Sequence, residues 1–264
     1  MKKLTVLMLM FVLAISCCFT ACSQPATEAE SDLAFIQDKG VLVVGITDFA
    51  PMDYKDESGN WIGFDADMAT AFAAYLGVDV QFMEIDWDNK ILELDSKAID
   101  CVWNGMTLTD EVLNSMECSN AYCDNAQVVV VSAADADKYQ DIESVSALNF
   151  AVESGSAGEA VVNELGYACT AVQSQSSALM EVAAGTADAC VIDLLMAGAM
   201  IGEGTSYPDL SYTAALNSEK YGVGFRKGSD LAAELNKFFT EAYADGSLLQ
   251  FAEAYGVQES VIAQ

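Results

Sequence analysis

The stretch LELDSKAIDCVWNG, residues 92–105, has a counterpart in MEVAAGTADACVID, residues 180–193. Each runs from a helical segment through a small or polar turn to an Asp, a Cys and a Val near a strand's end. A short echo of this kind says little alone, but here it falls at corresponding points of two similar halves. Ahead of the first copy, Val41 to Ile46 is an unbroken apolar run, the pattern of a strand covered on both faces. Asp56-Glu57-Ser58-Gly59-Asn60 is a turn cluster. Residues 65–76 repeat apolar side chains at helical spacing and stop at Gly77. Residues 78–83 alternate as a strand, 90–97 read as a short helix and 99–103 as a strand. That alternation predicts a parallel α/β sheet.

The pattern then restarts. Strands are expected at 127–132, 150–152 and 187–192, with helices at 156–165 and 176–184. A strand near 221–228 and a helical stretch over 230–255 read as a return to the first half. The reading is therefore α/β with two lobes, lobe 1 from 41–123 plus 220–264 and lobe 2 from 126–216. Two chain crossings, near 122–127 and 216–221, would form a two-strand hinge that lets the lobes close on a ligand.

Met1-Lys2-Lys3 followed by the apolar Leu4 to Phe19 reads as a secretory signal, taken here as residues 1–21. Phe19-Thr20-Ala21-Cys22 resembles the bacterial lipobox, which makes Cys22 the expected lipid anchor, with Cys17 and Cys18 as competing sites. Residues 22–40, rich in Ala, Glu, Ser and Thr, are expected to be a flexible tether. The folded body would then lie outside the cytoplasm, anchored at the outer face of the cell membrane.

The formal net charge is −29, with 11 Lys plus Arg and no His. Such a surface repels nucleic acid and anionic headgroups. Without His there is no His-ligated zinc, no Ser-His-Asp or Cys-His catalysis and no histidine switch. Cys101, Cys118, Cys123, Cys169 and Cys190 match no zinc spacing. Cys101 and Cys190 sit in apolar runs as small hydrophobes, and Cys118 and Cys123 are either a local disulfide or free thiols. No metal and no cofactor is expected.

In collinear order from about Val41 to Gly256, the chain carries VLVVGITDFAPMDY, GNWIGFDADMATAFAAYLG, IDWDNKILELDSKAIDCVWNGMTLTDE, FAVESGSAG, ADACVID and YGVGFRKGSD with ADGSLLQFAEAYG. This ordered set is similar to the extracellular solute-binding proteins, family 3, polar amino-acid receptors of ABC importers. The resemblance implies a bilobal periplasmic-binding-protein-like fold of type II with the ligand in the cleft. It implies Phe49 and Trp87 as the aromatic sandwich, and Asn104, Gly105 and Thr107 as the loop that meets polar groups of the ligand. It implies Ser154, Ser156 and Ala157 as the helix-start turn that meets a carboxylate, and Asp193 as the partner of an α-ammonium. The residue types suit these tasks, since a helix start attracts anions and strand ends face ligands in open α/β sheets. Each also has a plainer role: Phe49 and Trp87 as core, Asp193 and Ser156 as helix caps.

The chain departs from that family in two places. Val112 stands where the family usually carries an arginine that clamps the ligand's carboxylate, and Arg226 is the sole arginine, expected away from the cleft. Glu153 stands where a neutral or basic residue is usual. Either backbone amides with Thr107, Ser156 and Lys90 hold a carboxylate, or the ligand is an amine without one, caged by Asp193, Glu153 and the aromatic pair.

The leading reading is a monomeric, non-catalytic binding protein that delivers a small amino-acid-like ligand to an importer's membrane domains. An enzyme of the same fold, dehydratase-like, would need Glu153 or Asp193 as acid or base. A detached sensory receptor is the third reading.

Overall fold

The computed structural model of the protein describes residues 31–264. The expected signal segment and Cys22 lie outside them. In chain order, helix α1 (Asp32–Lys39) precedes strand β1 (Val41–Ile46), the hairpin β2 (Tyr54–Lys55) and β3 (Trp61–Ile62), helix α2 (Phe64–Leu76) and strand β4 (Asp79–Glu84). There follow α3 (Lys90–Asp95), β5 (Cys101–Val102), α4 (Asp110–Ser115), β6 (Glu117–Cys118), β7 (Cys123–Asn125) and β8 (Gln127–Ser132). Next come α5 (Ile142–Val145), β9 (Asn149–Glu153), α6 (Ala157–Glu164), β10 (Ala168–Val172), α7 (Gln175–Ala184), β11 (Ala189–Asp193) and α8 (Leu194–Met200). The chain ends with β12 (Leu210–Ala215), β13 (Glu219–Tyr221), β14 (Gly224–Phe225), α9 (Leu231–Asp245) and α10 (Ser247–Ala254).

Two five-stranded sheets result, ordered β4-β1-β5-β14-β6 and β10-β9-β11-β8-β12. β1 pairs in parallel with β4 and β5, so its apolar run is covered on both sides and Leu42 to Ile46 are buried. In β8 the period of two sends Val128 and Val130 to one core cluster and Val129 and Val131 to another. The short pair β7–β13 lies between the sheets in sequence, with Glu219 opposite Asn125 and Tyr221 opposite Cys123.

Neither sheet is purely parallel, which corrects the sequence expectation. β14 runs antiparallel to β5 and β6, and β8 runs antiparallel to β11 and β12. Both odd strands follow directly from the crossing strands β13 and β7, with no crossover helix to turn them round. The helical stretch expected over 230–255 is formed by α9 and α10, divided at Gly246, whose φ of 83° takes it into the left-handed region. Cys118 and Cys123 are free thiols.

The tether expected over 22–40 also needs correction, because its last part is helix α1. Ser31 caps it by accepting from the Ala34 amide, and Ile36 is fully buried in the core. Asp32 pairs with Arg226, whose guanidinium also donates to the Ile99 carbonyl at 2.8 Å and reaches Asp100 at 3.5 Å. Asp100 is in turn held by Lys39 and the Val43 amide. Arg226 thus ties helix α1 to the first sheet, away from the cleft.

Removing one partner of such a buried cluster leaves uncompensated charge. Arg226→Met is expected to cost on the order of 3 kcal/mol and lower the Tm by about 10 °C in thermal denaturation. An unchanged Tm would contradict the role given to this cluster.

Candidate functional site

A cavity of about 220 Å³ opens where both sheets present the carboxyl ends of their strands. From the first half it is lined by Thr47, Phe49, Trp87, Lys90 and the residues that follow β5, Asn104 to Thr107. Asn104 is held from both ends by Thr47: its Oδ1 accepts from the Thr47 amide, and its Nδ2 donates to Thr47 Oγ1 at 3.2 Å. Gly105 has a φ of 54°, and a Cβ there would come within 2.5 Å of the Phe49 ring. Its amide donates to Asp65 Oδ2 at 2.7 Å, as does the Tyr122 hydroxyl. Phe49 and Trp87 are both buried core members and cavity walls. Val112, 4% exposed, is an apolar part of the wall.

From the second half come Glu153, Gly155, Ser156, Ala157, Ala160, Gln175 and Asp193. Ser156 caps α6 by accepting from the Glu159 amide, and it also lines the cavity. Beyond that cap, the first-turn amides of α6 have no partner within the helix. Asp193 makes no side-chain cap to α8. Instead its Oδ1 accepts from Tyr221 at 2.7 Å, from Gln127 at 3.0 Å and from Asn125, and its Oδ2 accepts from Gln175. Gln175 also takes the Asp193 amide at 2.9 Å, which locks the carboxylate's orientation. Two contacts join the halves: Lys90, which lines the cavity, donates to the Gly155 carbonyl at 2.8 Å, and Gln173 donates to Asp86 at 3.3 Å.

The electrostatics are lopsided. Asp193 is pushed up to about 8, first by burial and then by repulsion from Glu219. Glu153 is also pushed up to about 8, by burial and then by Asp193, with Lys90 pulling it back. Burial lowers Lys90, while Glu111 and Glu153 oppose that shift. Among the described residues lining the cavity, Lys90 is the one cation, against Asp110, Glu111, Glu153 and Asp193.

All the expected site residues line this cavity except Ser154, whose amide continues the β9 ladder to the Val172 carbonyl at 2.9 Å. Gln175, Asn125, Gln127, Tyr221 and Glu219 were not expected. Glu219 gathers donors from Thr107, Asn125, Gln127 and Asn217 and so joins the cavity loop to the second sheet. Among the described residues, no cluster of His, Cys, Asp or Glu could hold a metal, and no helix is long and apolar enough to cross a membrane.

The family described as bacterial extracellular solute-binding proteins, family 3, matches residues 42–258, and the chain belongs to it. The chain is 27% identical over 252 residues to the arginine-binding extracellular protein ArtP of Bacillus subtilis, spanning 92% of this chain and 94% of that one. Its fold is similar to an ABC uptake transporter substrate-binding protein from Streptococcus pneumoniae solved with bound histidine. There the TM-score is 0.79 and the identity 26%, over 86% of this chain and 96% of that one. It is also similar to the ancestral amino acid-binding protein AncCDT-1, a precursor of cyclohexadienyl dehydratase, with a TM-score of 0.78 and 30% identity. That match covers 85% of this chain and 99% of the other. These type II periplasmic binding proteins share the two-sheet α/β architecture described above.

The raised carboxylates make a pH prediction with a definite sign. Glu153 and Asp193 near 8 and Asp65 near 7 still hold protons in the folded chain at pH values where the unfolded chain has released them. Stability of the ligand-free protein therefore falls as pH rises from about 4 to about 8. The Tm should drop across that window, and Asp193→Asn should flatten part of the slope. A slope identical in that variant would remove Asp193 from the account.

Proposed function

We propose that this protein captures an amino acid, or a close analogue, in the cavity and delivers it unchanged to the membrane domains of an ABC importer. It acts as a monomer outside the cytoplasm, held to the outer face of the membrane by a lipid on Cys22 after removal of a signal peptide. In this reading Asp193 takes the α-ammonium. The free amides at the start of α6, next to Ser156 and Ala157 and assisted by Lys90, take the carboxylate in place of the missing arginine. Phe49 and Trp87 enclose the rest of the ligand, with Asn104, Gly105 and Thr107 as the polar floor. The strands β7 and β13 serve as the hinge between lobe 1 and lobe 2. Ligand favours closure because it touches both lobes only when they are together.

The observation that carries this reading is the Asp193 carboxylate. It is buried, it lines the cavity, and side chains from the second sheet and both crossings fix its orientation. A charge oriented at that cost in desolvation suits a cationic partner.

A thermal-shift series on the soluble body tests it. A cognate L-amino acid at about a hundred times its Kd should raise the Tm by roughly 5–10 °C, and the corresponding amine without a carboxylate should not. Asp193→Asn should weaken binding about a hundredfold. Recovery of chemically altered ligand, or a shift with amines alone, would overturn the reading.

A further inference from the structure

Glu153 is the buried cavity charge that this reading leaves unused. It is the last residue of β9, and Asp193 is the last residue of the neighbouring parallel strand β11, so the sheet brings both carboxylates to one wall. Glu153 is 3% exposed, and its Oε1 makes no hydrogen bond to any described residue. A buried carboxylate oxygen left without a donor carries its full desolvation cost, so such an atom calls for a ligand.

The surroundings do not supply one. Lys90, at the start of α3, gives its ammonium to the Gly155 and Trp87 carbonyls and lies 5.0 Å over the Trp87 ring. Gln175, at the start of α7, is bound through both ends of its amide to Asp193; it also faces the Glu153 carboxyl and pulls it downward, without satisfying Oε1. Asp88, beside Gly155, and Glu159 in α6 are acidic, and α4 offers Asp110, Glu111 and Val112. The buried charged side chains lining the cavity are thus Glu153, Asp193 and Lys90, which leaves one negative charge in excess when all are ionised. A neutral zwitterion would leave that excess in place. A ligand with one further positive group would cancel it, and burial favours the balanced case.

We propose that Glu153 sets the specificity of this site: its Oε1 receives a cationic side-chain group, ammonium or guanidinium, of an amino acid whose α-ammonium is held at Asp193. This rests on the function proposed above. Asp193 cannot serve both groups, because its Oδ1 already accepts from Asn125, Gln127 and Tyr221.

Titration calorimetry with L-arginine and its neutral urea isostere L-citrulline tests the assignment, with L-lysine and L-norleucine as a second pair. The unaltered protein should prefer the charged member of each pair by about tenfold or more. Glu153→Gln should reduce that preference to within about threefold, through weaker binding of the charged member alone. Glu153→Asp, which keeps the charge, should retain part of the preference. Equal loss for both members would mean that Glu153 acts structurally or shares one ammonium with Asp193, and would overturn the proposal. Preference of the unaltered protein for neutral amino acids would overturn it while leaving amino-acid capture intact. Binding of no amino acid at all would instead remove the function on which it rests.

Discussion

Asp193 stands at the end of a core strand with its carboxylate buried, and most of the site's geometry can be traced to how that charge is satisfied. Its donors come from Gln175 in the second half, from Asn125 on one crossing and Tyr221 on the other, and from Gln127 at the start of β8. The Tyr221 ring meets Phe49 edge-on at 6.4 Å, and the Gly105 backbone leaves just enough room for both rings. One carboxylate thereby positions the second sheet, both crossings and, through Tyr221, the aromatic wall of the first. A network of this kind has little slack, because each polar atom it buries must keep a partner.

The same arrangement places the site under electrostatic load. Parallel neighbours β9 and β11 end side by side, so two carboxylates share a wall with a lysine that is committed to carbonyl oxygens. The raised affinity of Glu153 and Asp193 for protons offers one way to relieve that load. In the proposed complex it is relieved by the ligand's positive groups, so ligand binding and proton release become one linked process. Val112 adds only an apolar side chain to this wall, so in the proposed complex the balance passes to the ligand.

Much of this was legible in the sequence, for physical reasons that differ by element. β1 and β8 are continuous apolar runs because both of their faces are covered, and α2 announces itself by spacing and by Gly77. The cavity residues Phe49, Trp87, Asn104, Gly105, Thr107, Ser156, Ala157 and Asp193 came from the family resemblance, not from periodicity. Edge strands β10 and β12 escaped notice because one face of each is solvent-exposed and their apolar pattern is thin. Ser154 stands outside the cavity lining because the β9 ladder extends through its amide to the Val172 carbonyl before the helix-start turn begins. Gln175 looked like an ordinary residue before a helical run. Its role depends on β11 lying beside α7, a long-range fact no local pattern encodes. Helix α1 was hidden by a composition that suits a tether, and only Arg226, almost two hundred residues away in the chain, gives Asp32 its partner.

The central claim is that two buried carboxylates await the ligand's positive groups. Calorimetric binding at pH 7 in two buffers of different ionisation enthalpy, using the amino acid that gives the largest thermal shift, measures the protons exchanged. The account predicts release of between about one and two protons per ligand bound, as the ligand's two positive groups displace protons from Glu153 and Asp193. An observed enthalpy independent of the buffer would mean that no proton leaves, and would contradict it.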